Sequence, residues 1–98
     1  MTFKARFAQN LARCRGRAGL TQEEVAVRAG LGRDTIWKYE RQVHVPILDV
    51  LVRLAGAVSV HPAELLDGIA YRPSFIGMGE GRYEIDRPPS SEAPTSGE

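Results

Sequence analysis

Two short segments of helical apolar periodicity, joined by the tripeptide Gly-Leu-Gly at residues 30–32, constrain this chain more than any other feature of its sequence. Thr21 and Glu24 form the Thr-x-x-Glu pattern of a capping box, which predicts that a helix begins there. Gly30 can adopt the positive φ that closes a helix, so this helix is predicted to end there. A connection of three residues forces the next helix to pack directly against this one.

The second helix of the pair is predicted over residues 33–41, with Gly32 as its N-cap. A rotation of about 100° per residue places Ile36 and Tyr39 on one apolar face that would point into a core. Charges of both signs and a tryptophan lie on the opposite face or within reach of it: Arg33, Asp34, Trp37, Lys38 and Arg41. An exposed tryptophan among charges indicates a face that meets a partner.

Three more helices are predicted around this pair. The first carries an apolar stripe at spacings of three and four, formed by Phe3, Phe7, Leu11, Cys14 and Ala18. Basic residues lie off this stripe, namely Lys4, Arg6, Arg13, Arg15 and Arg17. A largely apolar fourth helix is predicted between Leu48 and Val58. A short fifth helix is predicted to begin near His61 and to bury Leu65 and Leu66.

The sequence pattern changes after Gly68. Two β-prone stretches, at residues 71–76 and 82–86, flank a glycine-rich turn. Residues 69–87 are therefore interpreted either as a weakly structured extension or as a β-hairpin, in which Pro73 fits only an edge position. Residues 88–98 have the composition of a disordered tail. The predicted organisation is thus one domain over residues 1–68, an extension and a tail.

The net charge of +1 conceals an asymmetry between the two parts of the chain. Residues 1–41 contain nine Lys and Arg against four Asp and Glu, a net charge of +5. Residues 42–98 contain four against eight, a net charge of −4. This separation favours a polyanionic partner for the N-terminal part, and the alternative is a chance distribution of charge.

Composition also excludes several classes of protein. Cys14 is the only cysteine, which excludes an intramolecular disulfide and suits a cytoplasmic protein. One cysteine and two separated histidines argue against a zinc site, so neither a metal nor a cofactor is expected. The apolar runs are shorter than the ~20 residues of a membrane span, and no secretion signal is recognised. No Ser–His–Asp, Cys–His, paired-carboxylate or phosphate-loop pattern is recognised in the sequence, so an enzyme is not expected.

The segments "GLTQEEVAVRAGLGRDTIWKYER" and "VPILDVLVRLAGAVSVHPAELL" resemble the Cro and phage-repressor type helix-turn-helix family, also called xenobiotic-response-element-like. The family pattern falls on Gln22, Val25, Ala26, Ala29, Gly30, Leu31, Ile36 and Tyr39. The resemblance implies an all-α, five-helix, lambda-repressor-like domain. It also implies a sequence-specific, repressor-like transcriptional regulator that binds double-stranded DNA as a homodimer on a two-fold operator.

Base contacts are predicted for the start of the second helix of the pair, because this part of a helix-turn-helix enters the major groove. The predicted residues are Arg33, Asp34, Trp37 and Lys38. Arg33 or Lys38 would donate to guanine, and Asp34 would accept from cytosine or only offset the positive helix end. Trp37 would contact a thymine methyl or a sugar, or else pack over the neighbouring helix or the Arg41 stem.

Phosphate contacts are predicted for Thr21, Gln22, Thr35, Arg41 and His44. Gln22 matches the phosphate-contacting glutamine of the family, and backbone N–H groups at the start of its helix add to the same anion site. Thr35 could instead reach a thymine methyl. The resemblance also implies a charge pair between Arg15 and Glu40.

Two other functions remain open. In an antitoxin-type regulator, the same domain would bind its operator while residues 69–98 bind a partner protein, for instance by adding a strand to its sheet. A helix-turn-helix module used only for protein contacts is disfavoured by the basic N-terminal part. The family resemblance implies that the fifth helix contributes to dimer contacts, which makes Leu65, Leu66 and Ile69 candidates, although burial within one chain explains the two leucines equally well.

Overall fold

Five helices and one two-stranded sheet form the part of the chain that this computed structural model describes, residues 1–74 and 81–86. The helices are α1 (Phe3–Ala18), α2 (Gln22–Ala29), α3 (Thr35–Glu40), α4 (Leu48–Ala57) and α5 (Pro62–Leu65). The antiparallel strands are β1 (Ile69–Arg72) and β2 (Arg82–Ile85). The predicted five-helix fold is confirmed, and the hairpin alternative for the extension is the one observed.

Glycines end the first two helices and a capping box starts the second, so the limits of α2 are as predicted. Gly19 ends α1 with φ 70°, and Gly30 ends α2 with φ 69°, both in the left-handed region. Thr21 accepts from the Glu24 N–H while the Glu24 carboxylate accepts from the Thr21 N–H, so both bonds of the capping box are present. The two helices therefore begin and end where the local chemistry requires.

The start of α3 differs from the prediction. Asp34, not Gly32, occupies the N-cap position, and its side chain makes no capping hydrogen bond. The Thr35 N–H donates to the Gly32 carbonyl at 3.1 Å, so a tight turn precedes the helix. Helical bonding begins with the Lys38 N–H, which donates to the Asp34 carbonyl. The prediction of Gly32 as N-cap was wrong, and the helix begins two residues after Arg33, because this turn uses Arg33 and Asp34.

The core is formed where the inward faces of the helices meet. Ile36 and Tyr39 are buried, which confirms the inward face predicted for α3. The Tyr39 ring meets the Phe7 ring edge-on, with centroids 6.2 Å apart. Other buried apolar residues of the cluster come from all the remaining helices: Leu11, Cys14, Val25, Ala26, Ala29, Leu51, Leu54, Ala55, Ala57 and Leu65. One apolar cluster thus joins the five helices.

Two polar side chains of α1 are buried with this core, although Arg6 was predicted to lie among the outward basic residues. Arg6 donates from Nε to the Asp67 carbonyl at 3.1 Å and from Nη1 to the Asp86 carbonyl. Asn10 donates to the carbonyls of Leu65 and Asp67, both at 3.0 Å. The prediction for Arg6 was wrong because the chain returns over this side of α1 and supplies carbonyl acceptors.

Several large apolar side chains remain exposed on α4 and α5. Leu48 and Val52, one helical turn apart, are exposed on α4. On α5, Leu65 is fully buried, but Leu66 keeps 37% of its surface exposed. The prediction that both leucines are buried was therefore wrong for Leu66, because the short helix ends at Leu65 and turns the next side chain outward.

The hairpin packs against the N-terminal end of α1. Ile69 pairs with Ile85, and Tyr71 pairs with Tyr83. The Tyr83 ring lies between those of Phe3 and Tyr71, with centroid distances of 5.2 and 5.4 Å. The first strand ends before Pro73, so the proline interrupts no ladder bond. The predicted glycine-rich turn lies largely outside the described residues, and the predicted tail, residues 88–98, lies wholly outside them.

We expect Gly68→Ala to destabilise the protein by about 1 to 3 kcal/mol, because an alanine would be strained at this positive φ. Gly68 has φ 79°, and a Cβ there would overlap the Arg6 guanidinium. Gly16→Ala is the matched control, since nothing lies within 4 Å of its Cβ position in α1. That change should stabilise the protein by about 0.5–1 kcal/mol. Urea unfolding measures both, and a neutral Gly68→Ala would contradict this account.

Candidate nucleic-acid interface

The exposed side of α3 is fixed from beneath by the two residues that the core buries. Ile36 and Tyr39 leave almost no surface to solvent, so they set the rotation of this six-residue helix. Trp37 is 47% exposed, and the Lys38 side chain keeps 41% of its surface exposed. The structure therefore presents one face of α3 outward, as its periodicity predicts.

Arg33 and Asp34 lie in the turn before α3 rather than in its first helical turn. Their side chains are 85% and 70% exposed. Asp34 lies one turn from Lys38, with Oδ2 and Nζ 3.7 Å apart. Exposed pairs of this kind contribute at most about 1 kcal/mol, so both side chains can reorganise around a ligand.

Trp37 stacks with the cation that follows it by one helical turn. The Arg41 guanidinium carbon lies 5.5 Å from the centroid of the Trp37 ring. A cation over an indole face is attracted by the ring quadrupole, by ~0.5–1 kcal/mol at an exposed site. This contact matches the predicted alternative in which Trp37 packs against Arg41, and it leaves nearly half of the side chain accessible.

A network centred on Glu40 joins α1, α2 and α3. Arg15 donates two hydrogen bonds to the Glu40 carboxylate, at 2.7 and 2.9 Å, which confirms the pair implied by the family resemblance. The hydrogen bond to Glu40 raises the pKa of Arg15 above its ordinary value. Gln22 Nε2 donates to Glu40 Oε1 at 2.9 Å. These contacts are largely shielded from solvent, because only 11% of the Glu40 side chain is exposed.

The predicted phosphate-contacting residues at the start of α2 are held in defined orientations by this network and by the capping box. One amide hydrogen of Gln22 is used by Glu40, and the second can donate outward. The Thr21 hydroxyl oxygen accepts from the Glu24 N–H, so its own hydrogen can donate to another acceptor. The helix start is therefore organised before any ligand arrives.

An open cleft of ≈ 580 Å³ lies between the start of α1, the outward side of α3 and the loop that follows α3. Three residues predicted to contact DNA line it: Thr35, Lys38 and His44. Lys4 of α1 lines the same cleft. Among the described lining residues none is acidic, so the electrostatics of the cleft favour an anion.

Lys4 is the residue that reasoning from the sequence did not assign to the site. Its position off the apolar stripe of α1 predicts that it is exposed, which the structure confirms. Nothing in the local sequence indicates that the start of α1 lies beside α3, because the packing of the two helices brings them together only in the folded chain. The missing signal was therefore a long-range contact.

Other kinds of site find no support in residues 1–74 and 81–86. Within them, no group of three His, Cys, Asp or Glu side chains could hold a metal ion. None of the helices there is long and apolar enough to cross a membrane. Cys14 is buried, and its burial raises the pKa of the thiol above the usual range. Cys14 is therefore a core residue and not an activated nucleophile.

The chain matches known proteins over the helical part. Residues 6–67 match the sequence model of a family described as "Helix-turn-helix domain". A Sinorhizobium fredii protein named "Uncharacterized HTH-type transcriptional regulator y4dJ" is 36% identical over 66 residues, which cover 67% of this chain and 86% of that protein. The family match ends at residue 67, so it extends through α5 and stops before β1.

Two solved structures share the fold at recognisable sequence identity. The hypothetical transcription factor NHTF from Neisseria superposes with a TM-score of 0.63 and 31% identity, covering 65% of this chain and 74% of that chain. The restriction-modification controller protein C.AhdI from Aeromonas hydrophila superposes with a TM-score of 0.61 and 34% identity, covering 63% and 94% respectively. The helical fold is therefore shared with transcription factors and controller proteins.

We expect Glu40→Gln to lower the free energy of unfolding by about 1–3 kcal/mol, because it leaves the mostly buried Arg15 guanidinium without an anionic acceptor. Glu84→Gln is the matched control, since Glu84 forms a similar two-point pair with Arg72 on the exposed hairpin. Solvent screening should make the second change much less costly. Chemical denaturation measures the free energy of unfolding of both variants. Equal losses would show that burial of the Glu40 network adds nothing to the stability of the protein.

Proposed function

Because the chain belongs to the helix-turn-helix domain family, we propose that it is a repressor-like transcriptional regulator that recognises a specific sequence in double-stranded DNA. Members of this family are regulators of transcription and not enzymes. One observation carries the proposal. The core fixes α3 through Ile36 and Tyr39, while the opposite side of the helix stays exposed beside cations from α1 and the preceding turn.

Base recognition is assigned to four side chains of α3 and the turn before it, namely Arg33, Asp34, Trp37 and Lys38. Arg33 and Lys38 would donate to guanine O6 and N7, the commonest specific contact in the major groove. Asp34 would accept from a cytosine amino group. Trp37 would contact a thymine methyl with the part of its ring that Arg41 leaves open. All four side chains are accessible to solvent, Arg33 and Asp34 most of all, which supports this assignment.

Phosphate contacts are assigned to residues on both sides of α3. Thr21 and Gln22 would donate from the start of α2, where backbone N–H groups and the positive helix end also favour an anion. Thr35, His44 and Lys4 would act from the cleft. Arg41 would reach the backbone from the end of α3. Such contacts supply affinity and position the protein, but they carry no sequence information.

A homodimer on a two-fold operator is the proposed assembly, because half-sites one helical turn apart require two recognition helices. Of the residues predicted for the dimer surface, Leu65 is fully buried and cannot contribute. Leu66 remains exposed, and Ile69 is partly buried. Residues 1–68 are the proposed DNA-binding domain, and residues 69–87 the proposed dimer-forming or partner-binding extension.

The antitoxin-type alternative is supported by one observation. The hairpin lies beyond the family match and presents two half-exposed tyrosines, Tyr71 and Tyr83. Aromatic side chains of this kind are enriched at protein interfaces. In this alternative the helical domain binds the operator and the segment from residue 69 to residue 98 binds a partner protein. A toxin-like reading frame beside the gene would favour it.

Selection of bound DNA from a random pool, followed by titration of the selected site at several salt concentrations, tests the proposed function. We expect one preferred sequence with two-fold symmetry and an affinity that falls steeply with salt. A preferred sequence without symmetry would contradict the proposed dimer but not the proposed sequence-specific binding. Failure to bind DNA, or binding that is insensitive to salt, would leave the protein-contact module as the better function.

We expect Arg33→Ala to lose discrimination at one base pair, whereas Gln22→Ala should weaken binding to all sequences about equally. A good two-point contact to a base gives ~1–3 kcal/mol of discrimination, so the first change should be evident in a competition assay. Gln22→Ala also removes a hydrogen bond to Glu40, so its stability must be measured in parallel. Equal losses on specific and non-specific DNA for Arg33→Ala would refute base reading by this residue.

We expect Lys4→Ala to weaken specific and non-specific binding alike and to lower the slope of log affinity against log salt by about 0.9, the value for one lost phosphate contact. Arg82→Ala is the matched control, since it also removes one positive charge but from the hairpin, which packs on the Arg6 side of α1. We expect the control to leave the slope nearly unchanged. Lys4 and Arg6 point to opposite sides, since two residues turn a helix by about 200°. An equal change in slope for both variants would show a general charge effect instead.

A further inference from the structure

Arg33, the first of the proposed base-reading residues, is paired with a residue of the other helix of the motif. Its Nε lies 3.5 Å from Oε2 of Glu23, near the start of α2. Both side chains are largely exposed, 85% for Arg33 and 69% for Glu23. Arg33 lies in the turn before α3, and Glu23 lies in α2. The ion pair between them therefore joins this turn to the start of α2.

Glu23 is held more firmly than Arg33. It follows Gln22 in the first turn of α2, between the two members of a complete capping box. Gln22 is in turn bonded to Glu40, which fixes this end of α2 relative to α3. The backbone that carries the Glu23 carboxylate is therefore anchored at several points, whereas a tight turn alone carries Arg33.

The geometry of the pair suits an arginine that reads a base. A guanidinium carries five N–H donors in a planar fork, and the contact with Glu23 is made through Nε. This arrangement leaves the two terminal nitrogens for the O6 and N7 acceptors of guanine. A free arginine loses much of its rotational freedom when it binds, and a partner that restrains it beforehand lowers that cost.

The carboxylate also acts on DNA that lacks the preferred base. Glu23 adjoins the residues proposed to contact phosphates at the start of α2, so its negative charge repels the backbone there. An unrestrained Arg33 could bind any phosphate, because phosphate contacts do not depend on sequence. Pairing with Glu23 makes that non-specific use of Arg33 less favourable, which is a means of discriminating against wrong sites.

We propose that Glu23 is a positioning residue for Arg33, orienting its guanidinium toward the base edge and thereby setting the specificity of the protein. The inference rests on the proposed function, since it assumes that the motif binds DNA. It adds to that function an acidic residue that contacts no base and yet determines which base pair Arg33 accepts.

The test compares Glu23→Gln with Glu24→Gln in the full-length protein. Both changes remove one negative charge from the first turn of α2. Glutamine at position 24 retains the capping box, so the control keeps the helix start intact. We expect both variants to gain affinity for non-specific DNA, and Glu23→Gln to gain more, because it also releases Arg33 to bind phosphates. Only Glu23→Gln should lose discrimination at the base pair read by Arg33, by up to about fivefold, the limit for an exposed ion pair.

Two further variants separate orientation from simple stability. Glu23→Asp keeps the charge and should restore part of the discrimination lost in Glu23→Gln. In the Arg33→Ala background, Glu23→Gln should cause no further loss of discrimination at that base pair, because the residue that it positions is absent. Thermal unfolding of every variant measures any general loss of structure. Discrimination at the other base pairs of the selected site serves as a second control, because a general loss of structure would lower it at all of them.

Equal discrimination by Glu23→Gln and Glu24→Gln would overturn the inference, since Glu23 would then act through charge alone. Loss of discrimination by Glu23→Gln that persists in the Arg33→Ala background would overturn it too, because the effect would not pass through Arg33. The proposed function fails differently, by the absence of salt-sensitive DNA binding in the unaltered protein. The two failures are therefore distinguishable in the same set of titrations.

Discussion

The Glu40 carboxylate is the point at which three helices are joined, and the candidate interface depends on it. It accepts from Arg15 of α1 and Gln22 of α2 while belonging to α3. Because α3 has six residues, fewer than the 12–15 or so that an isolated helix needs in water, its stability must come from tertiary contacts. The buried Ile36 and Tyr39 supply much of that stabilisation and set the rotation of α3 about its own axis. The Glu40 network adds directional bonds that set how α2 and α3 meet, and so where the exposed residues of both helices lie.

A second buried polar group has an equivalent role for the hairpin. An isolated two-stranded hairpin is only marginally stable in water, yet this one is attached to α1 by Arg6 and by the contact of Phe3 with Tyr83. A buried guanidinium must have its donors satisfied, and backbone carbonyls from both ends of the hairpin segment accept from Arg6. Strands β1 and β2 are thereby attached to the helices, and Tyr71 and Tyr83 remain about half exposed.

The proposed interface combines cations with acids in close proximity, which favours specificity over affinity. Glu23 lies beside Arg33 and Asp34 beside Lys38, so neither cation is a free positive charge. The loop after α3 exposes Val43 and Val45, whose side chains have no donor for a phosphate. A surface of this composition gains little from non-specific contact with the DNA backbone, and the base contacts must supply a larger share of the binding free energy.

Local chemistry in the sequence determined the helix ends at Gly19 and Gly30, the capping box and the inward face of α3, because each of these depends on residues within a few positions of one another. The family resemblance rests on a pattern of residues that extends through both helices of the motif. The Arg15–Glu40 pair came from the resemblance, not from the local pattern. What only the tertiary structure decided concerns residues far apart in the chain. Arg6 is buried because segments 61 and 80 residues later supply its acceptors, and Lys4 lies beside α3 because the helices pack that way. The register of a side chain follows from the periodicity of its own helix, but its partners follow from long-range packing, which no local pattern encodes.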